Sequence, residues 1–79
     1  MTEFKYKYIT VAETDRKDPE TGKPVWTVKN NRSGELLGVL LYYQPWRMYI
    51  AQFNDSSVFS HDCLTDIADA LKKTKGTNG

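Results

Sequence analysis

From Glu3 to Val11 the chain alternates Phe4, Tyr6 and Tyr8 with Lys5, Lys7 and Ile9. A period of two carried by aromatic and β-branched residues predicts a half-exposed strand. The stretches 24–30 (PVWTVKN) and 46–53 (WRMYIAQF) predict two more strands. The run 36–43 (LLGVLLYY) is apolar at both parities, which predicts a strand in the interior of a sheet. Gly38 within it marks a bulge, or the close approach of a bulky neighbour such as Trp26.

Breakers separate these runs. The segment 15–23 (DRKDPETGK) carries Pro19 and Gly22 and reads as a charged connection. Asn31 to Gly34 supplies a tight turn, because Asn and Gly both tolerate positive φ. Gln44-Pro45 ends the third run, and 54–57 (NDSS) is a further turn. After a short extended piece at Val58-Phe59 the period changes. Ser60 reads as an N-cap, with Asp62 in the first turn, where negative charge meets the helix dipole. Leu64, Ile67, Ala68 and Leu71 then fall on one stripe of a helix running to about Lys73. Asp66, Asp69, Lys72 and Lys73 take the other side.

The pattern predicts an α+β domain, an antiparallel meander of about four strands followed by one C-terminal amphipathic helix packed on one sheet face. Residues 1–74 form this single domain, and 75–79 (KGTNG) form a disordered tail with nothing to bury. One helix shields one face. The other is solvated or meets something else.

Composition narrows the chemistry. The 79 residues contain one cysteine and one histidine, too few for an internal disulfide or a structural zinc site. The core therefore relies on packing, or on packing plus a partner subunit; a homodimer joined through faces or edge strands would enlarge it. Eleven Lys and Arg stand against ten Asp and Glu, which excludes a strongly basic duplex-DNA binder and an acidic DNA mimic. The opening MTEFKYKYIT lacks the apolar run of a signal peptide, and no stretch approaches membrane-spanning length, so the expected location is cytoplasmic, with no membrane partner.

His61, Asp62 and Cys63 are consecutive, but residues one and two apart on a helix diverge instead of facing each other. They read as a helix start with a small buried thiol. No phosphate-binding glycine loop is present, so no catalytic residue and no cofactor or metal site is assigned, and the expected role is non-enzymatic. Aromatic and cationic side chains do interleave on the strands. Lys5, Lys7, Lys29, Trp46, Arg47 and Tyr49 are candidate contacts for a single-stranded nucleic acid, stacking bases and tracking phosphates. This assignment requires Met48 and Ile50 to pack under the helix while Arg47, Tyr49 and Phe53 look outward. The bland alternative is that aromatics are good strand formers and lysines protect sheet edges. Trp46 beside Arg47 at a turn reads either as a protein-binding hot spot or as a plug for the end of the core.

The series VWTVKN at 25–30, SGELLG at 33–38, Y-x-PWR-x-Y at 43–49 and VFS-x-x-CL-x-DIA at 58–68 resembles a family of small uncharacterised bacteriophage and mobile-element proteins. The resemblance covers about Val25 to Leu71 and implies a phage or prophage accessory protein, without assigning an activity. At the level of architecture, strands followed by one helix look like PC4-like single-stranded-DNA-binding domains, although no motif matches residue by residue. Two functions follow as expectations: binding of single-stranded nucleic acid, or binding and inhibition of a host protein.

Overall fold

The computed structural model describes residues 2–77. Five strands, β1 (Glu3–Lys5), β2 (Ile9–Lys17), β3 (Pro24–Asn30), β4 (Leu36–Tyr43) and β5 (Met48–Phe53), precede one helix, α1 (His61–Thr77). The strands form a single antiparallel sheet in the order β1-β2-β3-β4-β5, with the helix packed against it. The expected α+β meander is present. β4 is an interior strand, as its two-sided apolar pattern requires.

The extra strand comes from a reversal inside the first predicted run. Tyr6 N–H donates to the Ile9 carbonyl at 2.9 Å, folding β1 back on β2 with Phe4 opposite Val11. No Gly or Pro marks this turn. It is held from outside by Asn31, whose side-chain amide donates to the Tyr6 carbonyl at 2.8 Å and whose backbone N–H donates to the Tyr8 carbonyl at 2.9 Å. β2 also runs on to Lys17, so the charged connection shrinks to a turn. In it Gly22, at φ 69°, donates to the Asp18 carbonyl at 2.7 Å. The β3–β4 turn is where the sequence placed it. Gly34 sits at φ 75°, and the Asn30 carboxamide oxygen accepts from the N–H groups of Arg32 and Ser33.

Gly38 combines both expectations. The register between β3 and β4 slips at Val28/Lys29, where β4 holds one extra residue, Leu37, and turns it into the core. The bulky neighbour is Phe53 on β5, not Trp26. A Cβ at position 38 would lie 2.9 Å from Phe53 Cδ1 and also collide with the Gln52 carbonyl oxygen.

Strand pairing assigns the faces. Phe4, Val11, Val28, Gly38 and Phe53 form one row, and Trp26, Leu40 and Ala51 the next, all on the helix side. Trp26 is fully buried, with Phe4 stacked on it at a 5.4 Å centroid separation. The helix is capped as predicted, Cys63 N–H donating to Ser60 Oγ at 3.2 Å. Its buried stripe is rotated from the expected one. Ile67, Ala70 and Thr74 are buried and Cys63 and Leu71 pack against the core, while Ala68 is exposed and Leu64 is 49% exposed. Small side chains at 70 and 74 let the helix approach the sheet. Thr74 can be buried because its hydroxyl donates to the Leu71 carbonyl at 2.8 Å. The backbone stays helical to Thr77, past the expected end near Lys73, so the predicted tail at 75–79 begins as helix; Asn78 and Gly79 lie outside the described residues.

Candidate functional site

Residues of the opposite parity build the second face of the sheet. Glu3, Ala12, Thr27, Val39 and Gln52 form one row across it, and Leu41 pairs with Ile50 in another. Lys5, Thr10, Lys29 and Leu36 close one end, while Tyr43 and Met48 close the other. No helix lies on this side among the described residues. Its centre is aliphatic: Val39, Leu41 and Ile50 are half-buried only by one another and their strand neighbours.

The end at Tyr43 and Met48 continues into the β4–β5 connection. Gln44–Trp46 forms a single 3-10 turn, with Pro45 early in it. Arg47 follows in the left-handed region at φ 53°, ψ 44°, and its N–H donates to the Gln44 carbonyl at 3.1 Å. A non-glycine residue there costs about 1 kcal/mol of backbone strain. The kink delays β5 to Met48 and lifts Trp46 to 64% exposure, held edge-on against the Tyr43 ring at 5.2 Å. Trp46 is therefore not a core plug. With Met48 at 50% exposure, the rim shows Trp, Tyr, Arg and Met together.

The six candidate nucleic-acid contacts do not converge. Lys5 and Lys29 lie at the end of the open face remote from Trp46 and Arg47, about 20 Å away at ~3.3 Å per strand residue. Lys5 is within 3.5 Å of the Glu3 carboxylate, an exposed pair. Lys7 belongs to the β1–β2 turn and lies over the Tyr8 ring at 5.3 Å, beside a shallow cleft of about 450 Å³ shared with Asn30, Asn31 and Arg32. Tyr49 is 8% exposed and sits in the core under the helix, donating its hydroxyl to the Pro24 carbonyl at 2.9 Å. The expected arrangement of β5 is thus reversed. Tyr49 and Phe53 take the helix side, and Met48 and Ile50 the open side. Alternation alone could not decide this, since both parities of β5 are apolar. The β4 register and the Tyr49 hydroxyl bond decide it.

The His61-Asp62-Cys63 cluster divides into an exposed pair and an inward thiol. His61 and Asp62 are exposed, 3.6 Å apart, and Cys63 turns toward the core. A denser polar group lies on the helix flank. Tyr6 donates to Asp69 Oδ2 at 2.7 Å, Lys73 Nζ approaches the same oxygen at 3.0 Å, and the Lys73 ammonium lies over the Phe4 and Tyr6 rings. Burial, then the bond to Asp69, raises the Tyr6 phenol above its usual range; the Tyr6 and Lys73 hydrogen bonds lower the Asp69 carboxyl. This is a clasp joining α1 to the β1–β2 turn.

No helix among the described residues is long and apolar enough to cross a membrane. Comparison with protein families, curated proteins and solved structures finds no match. The class that the fold and the geometry define is an α+β meander with one free, largely apolar sheet face.

Proposed function

We propose that this chain is a non-enzymatic protein-binding module that docks its open sheet face and the Tyr43–Met48 rim onto another protein. The carrying observation is the aliphatic centre formed by Val39, Leu41 and Ile50, continuous with exposed Trp46 and Met48. Contiguous apolar surface of this kind marks interaction sites, and Trp, Tyr and Arg are the residues that dominate interface energetics. Arg47 adds to the case. Glycine or asparagine would hold its left-handed backbone at less strain, so the rim carries a cationic side chain at a backbone cost. The nucleic-acid reading draws less support, because its stacking tyrosine is in the core and its cations are scattered.

Site-specific photo-crosslinking tests the proposal. A benzophenone side chain placed at position 48, on the open face, should capture a protein in cells. The same group at position 68, on the exposed back of the helix, should not. Equal capture from both positions, or none from 48, removes the proposal. Salt-sensitive quenching of Trp46 fluorescence by an oligonucleotide, without protein capture from 48, would return the nucleic-acid reading in its place.

A further inference from the structure

Resting on that reading of the open face as an interface, we infer that its occupant is a second copy of the same chain, joined as a two-fold sandwich of sheets. The first argument is area. The four longer strands, six to nine residues each and about 4.8 Å apart, present a footprint of about 19 by 25 Å at ~3.3 Å per residue, and the three residues of β1 extend one corner. With side chains standing off that footprint and Trp46 and Met48 overhanging its end, the accessible surface approaches the ~800 Å² that one partner gives to a standard interface. The face is of the size a dimer of small subunits needs.

The second argument is self-complementarity. A two-fold interface sets each patch against itself, so any charge near its centre meets its own like charge. Here the central positions Ala12, Thr27, Val39, Leu41 and Ile50 are uncharged, and the charges of this face stand at its margins, Glu3 on the β1 edge beside Ala12 and the exposed Lys5 and Lys29 at one end. Aliphatic groups need no chemical complement, only contact. The formal net charge of +1 imposes little long-range repulsion between copies.

The third argument is the core. A short chain without a disulfide has one layer of buried side chains beneath one helix. Pairing the open faces would give the sheet a second dry layer, with sheets about 10 Å apart as in sandwich folds.

Light scattering after size exclusion, from ~1 to ~100 µM, tests this. The purified chain should move from 9.1 kDa toward twice that mass as concentration rises. Leu41→Arg should raise the dissociation constant at least ~30-fold, since it buries a charge opposite its own copy. Met48→Lys, at a half-exposed position that cannot disturb the core, should weaken the dimer in the same direction. Ala68→Lys on the back of the helix should leave it unchanged. A chain that stays monomeric at ~100 µM, or a dimer indifferent to both Leu41→Arg and Met48→Lys, overturns the inference. The broader reading fails separately. A monomeric chain that still crosslinks a different protein from position 48 remains a binding module, whereas one that captures nothing loses both.

Discussion

Gly38→Ala tests the packing of β4 against β5. The added methyl would lie 2.9 Å from Phe53 Cδ1 and 3.1 Å from Phe53 Cα, and would press on the Gln52 carbonyl oxygen. The ring can rotate away at some loss of its contact with Phe59, 4.5 Å between centroids. The carbonyl cannot, because it belongs to the edge strand. β5 must therefore move out by a few tenths of an ångström or more, weakening the ladder around the Gly38–Phe53 and Val39–Gln52 pairs. Overpacking costs about 1–3 kcal/mol, and each strained ladder bond up to ~1 kcal/mol. Restricting the unfolded chain returns about 0.4–1 kcal/mol. The net is a destabilisation of ~2–3 kcal/mol, which in a domain of this size lowers Tm by about 8–24 °C. Urea denaturation followed by Trp26 fluorescence measures it, with an unchanged m-value showing that the transition remains two-state. Adding Phe53→Ala should recover only part of the loss, since it frees the ring contact and leaves the carbonyl contact in place. A Gly38→Ala variant within ~0.5 kcal/mol of the parent would refute this account of the glycine.

Four other outcomes follow from the geometry. Arg47→Gly should leave stability unchanged or raise it by up to ~1 kcal/mol while weakening capture from position 48; a loss of more than ~1 kcal/mol would mean that Arg47 holds the fold together. The lowered Asp69 carboxyl gives the folded state stability that is present above the ordinary carboxylate value near 3.8 and is lost as pH falls through the folded value, so Asp69→Asn should flatten the acid limb of a Tm-against-pH curve. The raised Tyr6 phenol acts at the other end, contributing below pH 10 and losing its effect above it, and Tyr6→Phe should flatten the alkaline limb. Ser60→Ala removes the hydroxyl that accepts from Cys63 N–H and should cost about 1 kcal/mol by thermal denaturation; an unchanged Tm would mean that the helix start is held by other contacts.

The elements that were legible in the sequence carry their own signals. Ser60 caps the helix it precedes, Gly34 closes the turn it ends, and the two-sided apolar run of β4 lies inside the sheet. What was hidden depends on residues distant in the chain. The reversal at Tyr6–Tyr8 is held by Asn31, twenty-five residues from Tyr6, so local turn chemistry could not reveal it. The buried helix stripe is hard to see in the sequence because Ala70 and Thr74 are not strongly apolar, yet their smallness is what lets the helix approach. Tyr49 shares the parity of Arg47, which turns it outward if Met48 and Ile50 face the helix, whereas its hydroxyl finds a backbone carbonyl inside. The open face did have a signal. Leu41 and Val39 on β4 are as apolar as Leu40 beside them, and one helix cannot cover both sides.

The order of the strands has a consequence for synthesis. Every pairing is between sequence neighbours, so the sheet can assemble as it emerges, one hairpin after another, and is complete at Phe53. The helix ends twenty-four residues later, at Thr77, a delay of about 1–5 s at ~5–20 residues per second. During that interval the nascent sheet is greasy on both sides, and α1 claims one of them only when Asp69 reaches back to Tyr6. A chain cut before α1 would then be no smaller version of this protein, but a two-sided adhesive strip for chaperones or for its own aggregation.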